Sequence, residues 1–272
     1  MIPQAFEYEQ PGSVADAIAM LGKHGGEARV LAGGHSLLPM MKLRLAAPDA
    51  LIDIGRIASL RGITDTPDAI TIGALTTHAE VAGAEVIASG CPILAETAAG
   101  IGDLQVRNRG TIGGSIANAD PHGDLPAVLL ALDGEATAEG PNGRRTIAAA
   151  DLFVDYLQTS LSPDEILTEV RVPKASNSAY VKFNRRAQDW AIVGAAAVVH
   201  GSSARIALTG VGSKPVRAAA VEAAFDGSNT AEAAGHAADG LDAPSDTAAS
   251  GEYRAHLARV LVRRALEAAM AR

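Results

Sequence analysis

Apolar positions recur at two spacings along this chain, and the changes between them mark out its parts. Ser13, followed by Asp16 and by the apolar residues Val14, Ala17, Ile18 and Leu21, predicts a capped amphipathic helix stopped at Gly25-Gly26. Arg29 to Ala32 reads as a buried strand. Leu37, Leu38, Met41 and Leu45 then recur at helical spacing, and Ala50 to Ile54 reads as a second strand. A helix-strand-helix-strand unit is expected over residues 1–56.

From Arg61 the pattern changes. "AITIGALTTHAEV" predicts a strand, a polar cap and a helix, and "CPILAETAAGI" predicts another helix. "EATAEGPNGRRTIAA" reads as a hairpin around Asn142-Gly143, a dipeptide that accepts the positive φ angles of a tight turn. "KASNSA" is small, polar and without apolar periodicity, as a linker would be. Beyond it, "AYVKFN", "AIVGAAAVVH" and "ARIALTGVG" read as strands, and three helical stretches close the chain, the last from Glu252 to Met270. Strands followed by a block of helices suggest a separate α+β domain. The expected division is 1–173, made of subdomains 1–56 and 57–173, and then 178–272.

Composition narrows the function. At 272 residues the chain exceeds the usual single-domain size. No apolar run reaches the roughly 18 residues that span a bilayer. The net charge of -8 and the absence of a Lys/Arg block argue against nucleic acid, whose phosphates require clustered basic side chains. A solitary cysteine, Cys91, excludes an internal disulfide and a thiolate-bound iron–sulfur cluster held by this chain alone. At the start of an apolar helix it reads as a packed thiol. The opening "MIPQAFEYEQPGS" has neither the basic nor the apolar segment of an export signal, so a cytoplasmic protein is expected.

Two glycine pairs carry the candidate chemistry. Gly33 and Gly34 follow a strand and precede a helix whose first turn offers backbone N–H groups to an anion, and the absence of Cβ lets the backbone close on a ligand. A plain tight turn would look the same. "RNRGTIGGSIANADPHGDLP" supplies a second pair, Gly113 and Gly114, among hydroxyl, amide and carboxylate side chains suited to a polyhydroxyl chain and phosphate oxygens. Its plain alternative is a polar loop with Asp124 capping the helix Leu125 to Leu132. No G-x-x-x-x-G-K-[ST] is present, and the G-x-G in "GVGSKP" runs into a proline where a helix should begin. The histidines form no metal-ligand pattern and no nucleophile elbow occurs, so no metal site and no catalytic residue is expected.

"AGGHSLLPMMKLR" and "GTIGGSIANADPHGDLPAVLLALD", separated by residues 45–109, resemble the two FAD pyrophosphate loops of the molybdenum hydroxylase (xanthine dehydrogenase) family. With "MIPQAFEYEQPGSVADAIAML", "EILTEVRVP" and "YVKFNRRAQDWAIV", the resemblance covers nearly the whole chain and is strongest to FAD-binding medium subunits of the aerobic carbon monoxide dehydrogenase type. It implies an α+β fold. An FAD-binding domain of the vanillyl-alcohol-oxidase-like (PCMH) type, made of two α/β subdomains, would precede a smaller α+β C-terminal domain with a sheet and a helical layer.

Residue by residue, the resemblance implies that Ala32, Gly33, Gly34, His35, Ser36 and Leu37 form the first loop, whose amides and hydroxyl hold the pyrophosphate. Thr111, Ile112, Gly113, Gly114 and Ser115 form the second, with Asn118 beyond it and Asp124 placed toward the sugar part of the cofactor. Leu167 would pack near the flavin or adenine, Lys182 would lie near the flavin ring, and Trp190 is a candidate to cover one flavin face or else a half-buried residue starting a strand.

The same resemblance implies non-covalent FAD as the cofactor here, with molybdopterin and [2Fe-2S] clusters only on partner subunits. Those partners would be a large molybdopterin subunit and a small [2Fe-2S] subunit in a dimer of heterotrimers. Electrons would leave for a quinone or other acceptor, and any contact with a membrane would come through the complex. Two alternatives stand beside this reading. One is the same subunit in an N-heterocycle, aldehyde or xanthine-type hydroxylase; the other is a self-contained flavin oxidase with FAD linked at His35.

Overall fold

The computed structural model describes residues 2–272. Its first unit contains β1 (Glu7–Glu9), α1 (Val14–Lys23), β2 (Ala28–Leu31), α2 (Leu37–Leu43) and β3 (Ala50–Asp53), with the strands parallel in the order β1-β3-β2. Ser13 caps α1 by accepting the Asp16 N–H, and Ala17 and Leu21 turn into the core above Ile52 and Ile54. β1 escapes the sequence pattern because Glu-Tyr-Glu has no apolar alternation; pairing with buried β3 holds it. The helix after the first glycine pair is shorter than its apolar spacing suggests. It ends in left-handed Arg44, Leu45 lies beyond it and is 76% exposed, and Met41 is its one fully buried residue.

The second unit is an antiparallel sheet in the order β4-β5-β10-β6-β7, formed by β4 (Ile63–Asp65), β5 (Ala69–Gly73), β6 (Glu135–Gly140), β7 (Gly143–Ala148) and β10 (Ile166–Pro173). Between β5 and β6 the chain makes six helices. They are α3 (His78–Gly83), α4 (Glu85–Gly90), α5 (Pro92–Ala99), α6 (Leu104–Arg109), α7 (Ile112–Asn118) and α8 (Asp124–Ala131). Short α9 (Ala149–Leu152) leads into a small hairpin of β8 (Phe153–Asp155) and β9 (Gln158–Thr159). Thr77 and Glu80 form a reciprocal capping box that starts α3. Cys91, just before α5, is fully buried, and burial pushes its thiol up to about 12, so it is an inert packed group.

The third unit is a four-stranded antiparallel sheet of β11 (Ser178–Phe183), β12 (Val193–His200), β13 (Ser203–Thr209) and β14 (Val216–Arg217), backed by α10 (Ala219–Ala224), α11 (Thr230–Gly235) and α12 (Gly251–Met270). β12 is apolar at every position but the last because both its faces are covered. Ala195, Ala197 and Val199 join the core that α12 fills with Leu257, Leu261 and Leu266, while Ala196 and Val198 join the core around α8. α8 is buried along all its residues for the same reason, lying between the helices of the second unit and β12 and β13 of the third. One helix thereby joins the two units. Among the described residues, no helix is long and apolar enough to cross a membrane.

Candidate cofactor site

The two glycine loops meet. β2 runs directly into Ala32–Ser36, and α6 runs directly into Gly110 and Thr111. A Cβ on Gly33 would stand 2.1 Å from the carbonyl oxygen of Arg109 and 2.9 Å from the Cα of Gly110, so a hydrogen at this position lets two backbones touch. A Cβ on Gly114 would come within 3.9 Å of the Cβ of Ala32, which brings the second glycine pair against the first. On its other side Gly113 packs on the end of β5, where a Cβ would lie 2.4 Å from that of Ala74.

The loops differ in their N–H groups. Among the described residues, nothing accepts from the N–H of Gly33, Gly34, His35 or Ser36, and the Ser36 hydroxyl makes no cap to α2. Gly34 takes a φ of +79°, a left-handed conformation that turns these amides along the loop. In the second loop the four N–H groups that follow Thr111 are spent. Ile112 donates to the Thr76 carbonyl (3.0 Å), Gly113 to that of Ala74 (2.9 Å), Ser115 to that of Thr111 (3.0 Å) and Gly114 to the Thr111 hydroxyl (3.1 Å). Ile112 and Gly113 are buried, whereas His35 is exposed.

α7 ends at left-handed Ala119, and a short turn carries the chain to Asp124. Asp124 is the first residue of α8 and makes no cap, contrary to the plain reading of its position. Its side chain turns instead to β11. Oδ1 accepts the Tyr180 hydroxyl at 2.6 Å, and Oδ2 accepts from Lys182 Nζ at 2.6 Å. Burial raises the carboxyl above its ordinary range, while Lys182 and Tyr180 pull it down and Asp120 adds to the rise. The same burial, with Asp124 opposite, pushes the Tyr180 hydroxyl well up, so it remains a donor.

Lys182 Nζ also donates to the Gly100 carbonyl at 3.0 Å. Gly100 lies at one end of an open cleft of about 560 Å³, walled by Gly102, Asp103, Gln105 and Arg107 on one side and by Ala187 and Gln188 on the other. α6 lines the cleft and then delivers Gly110 and Thr111 to the glycine junction. Trp190, two residues beyond Gln188, is 60% exposed and precedes β12, so it is neither core nor half-buried. Its segment is pinned at Ala191, whose carbonyl bonds His122 Nδ1 at 2.9 Å, and at Ile192, whose carbonyl accepts from buried Arg254. Leu167 sits on β10 within the main core, and Asn118 is half-buried at the end of α7 without a side-chain hydrogen bond.

Three residues were missed by sequence reasoning. His78 donates its backbone N–H to the Gly110 carbonyl, and its ring lies where a Cβ on Gly110 would stand 2.9 Å from Nε2. Burial, aided by the charges of His35 and Arg107, lowers it to about 4, so the imidazole under the junction is neutral. Tyr180 had a legible signal, since residues two apart on a strand share a face and Lys182 was already a candidate. Gly100 had none, because its contribution is a backbone carbonyl.

These features fit a dinucleotide cofactor: open backbone donors where two backbone segments touch without side chains, and a buried acid-base pair beside a cleft. Residues 4–175 match the FAD binding domain in molybdopterin dehydrogenase, and residues 178–269 match the CO dehydrogenase flavoprotein C-terminal domain, so the chain belongs to the FAD-binding subunits of the molybdenum hydroxylases. It is 42% identical to the carbon monoxide dehydrogenase medium chain of Hydrogenophaga pseudoflava, over 100% of this chain and 99% of that one. It is 40% identical to the 6-hydroxypseudooxynicotine dehydrogenase complex subunit alpha of Paenarthrobacter nicotinovorans, over 100% and 97%. The solved structure of carbon monoxide dehydrogenase from Hydrogenophaga pseudoflava lacking the Mo-pyranopterin moiety of its molybdenum cofactor superposes with a TM-score of 0.96 at 44% identity, covering 100% of this chain and 99% of that one. The chain is thus an oxidoreductase subunit, a medium chain of the carbon monoxide dehydrogenase type.

Proposed function

We propose that the chain passes electrons through FAD from [2Fe-2S] clusters of a small partner subunit to a quinone or other external acceptor. Substrate oxidation then takes place on a large molybdopterin subunit, carbon monoxide being the substrate, in a dimer of heterotrimers. The observation that carries this reading is the pairing of the free amides of Gly33, Gly34, His35 and Ser36 with the closed wall of Thr111, Gly113 and Gly114. The first set would hold the pyrophosphate, and the second would bring backbone against it. Asp124 and Lys182 would hold the sugar and ring end, and the cleft between α6 and Gln188 would take the flavin ring.

FAD supplies exchange of electrons singly with an iron–sulfur centre and in pairs with an acceptor. The protein binds and orients it and sets the charge around the ring. No residue of this chain need act as acid or base on the substrate. The His35 backbone N–H serves the pyrophosphate, so the histidine ring is not required as a covalent attachment.

The near-equal identity to the 6-hydroxypseudooxynicotine relative supports a second reading, the same subunit within an N-heterocycle hydroxylase. Purified complex, assayed with carbon monoxide and with N-heterocycles against an artificial acceptor, separates the two. Acid denaturation of the same preparation is expected to release one FAD per chain. Flavin retained on the polypeptide would favour the oxidase linked at His35, and no flavin at all would overturn the cofactor reading.

A further inference from the structure

The contacts around Asp124 carry a role for a residue outside the glycine loops. A carboxylate in a buried site needs a donor on each oxygen, and Asp124 takes one from Lys182 and one from Tyr180. Lys182 has three N–H donors. One goes to Asp124 and one to the Gly100 carbonyl, and among the described residues the third has no acceptor. Tyr180 and Lys182 belong to the sheet of the third unit, whereas Asp124 and Gly100 belong to the second, so this cluster crosses between units beside the cleft.

The neighbouring strand is cut to fit the phenol. Gly194 on β12 pairs with Lys182, and a Cβ there would stand 2.2 Å from the Tyr180 hydroxyl and 2.8 Å from Thr209 Cγ2. Any larger residue would push the hydroxyl off the carboxylate. The bond is therefore supported from both sides, by the acid in front and by the glycine behind.

Resting on the FAD reading above, we infer that Tyr180 is a positioning residue for the flavin: its hydroxyl fixes Asp124, and Asp124 in turn fixes Lys182 with one N–H left for the cofactor. Without the phenol, Oδ1 loses its donor in a buried site, and Asp124 draws the Lys182 ammonium more tightly onto itself as its one remaining side-chain donor. Positive charge is then drawn away from the flavin. Since positive charge near the ring favours its reduced, more negative form, removing Tyr180 lowers the flavin midpoint potential.

The test is an anaerobic redox titration of the assembled complex, following flavin absorbance, with FAD content determined on each sample. Y180F is expected to keep its FAD and shift the midpoint to more negative potential. K182M is expected to shift it further, and Y180F added to K182M is expected to change nothing more. A Y180F complex that holds FAD at the wild-type potential overturns the inference, as does an equal Y180F shift in the K182M background. If Y180F does not assemble, G194A decides. It leaves every donor and acceptor in place but displaces the hydroxyl, and it must reproduce the negative shift; an unshifted G194A overturns the inference. Wild-type complex devoid of FAD would overturn the cofactor reading first, and the inference with it.

Discussion

The loop after β2 and the loop after α6 are written almost alike, "AGGHSL" against "TIGGSI", yet their backbones are used in opposite ways. The first keeps the N–H groups of Gly33, Gly34, His35 and Ser36 open and sits on a short helix with one fully buried residue. The second donates from Ile112, Gly113, Gly114 and Ser115 into its own surroundings and buries Ile112, Gly113 and Ile116. A glycine pair can therefore leave room for a ligand's oxygens or for a neighbouring strand. The first loop is the set of donors here, and the second is the wall that positions it.

The most severe way to break this division is at the junction itself. Gly33→Val drives a side chain into the Arg109 carbonyl, a backbone atom that cannot rotate away, and separates the loops. Flavin retention is expected to fall at least a hundredfold, about 3 kcal/mol or more. Equilibrium dialysis with FAD checks this, alongside circular dichroism to show that the fold persists.

Acid tests the wall from beneath. His78 is lowered from an ordinary 6.5 to about 4, so the unfolded chain binds a proton that the folded one refuses. Its contribution to stability is complete above pH 6.5 and is lost as pH falls toward 4, by roughly 2–3 kcal/mol. Urea unfolding across that window should show the slope, and His78→Gln should flatten it. A slope unchanged by the substitution would remove His78 from the account.

The smallest and sharpest comparison pairs one substitution in each loop. Gly34→Ala places a Cβ at a φ of +79°, costing about 1–2 kcal/mol, which the loop relieves by turning its amides away. FAD affinity is expected to drop about tenfold with little change in the unfolding midpoint. Thr111→Ala removes the acceptor for the Gly114 N–H, a loss of about 1 kcal/mol in stability, with affinity changed at most about threefold. Equal effects of both variants on both quantities would erase the distinction between donor and wall.

Much of the architecture was legible along the chain. The cap at Ser13, the hairpin at Asn142 and the final helix all rest on local signals, and all three appear in the structure, whereas the last two residues of the polar stretch from Lys174 are the buried start of β11. β1 was hidden because its two glutamates and tyrosine are placed by a neighbour rather than by their own pattern. The extent of α2 was overestimated because Leu45 continues an apolar spacing that the left-handed turn at Arg44 interrupts. Trp190, read either as a cover for one flavin face or as a half-buried residue starting a strand, stands exposed ahead of β12, with Ala191 and Ile192 pinned behind it.

Through their resemblance to the molybdenum hydroxylase family, two glycine loops in order indicated the class of protein, and residue types alone marked Cys91 as a lone packed thiol. Those properties are local, since a missing Cβ, a missing thiol or a turn dipeptide acts within a few residues of itself. Only the tertiary structure decided which amides are open, that Asp124 faces Tyr180 and Lys182 rather than its own helix, and that a neutral histidine lies under the junction. Each of these depends on a partner from a distant part of the chain. A hydrogen-bond donor is spent or free according to what lies opposite it, and no spacing within one segment records that.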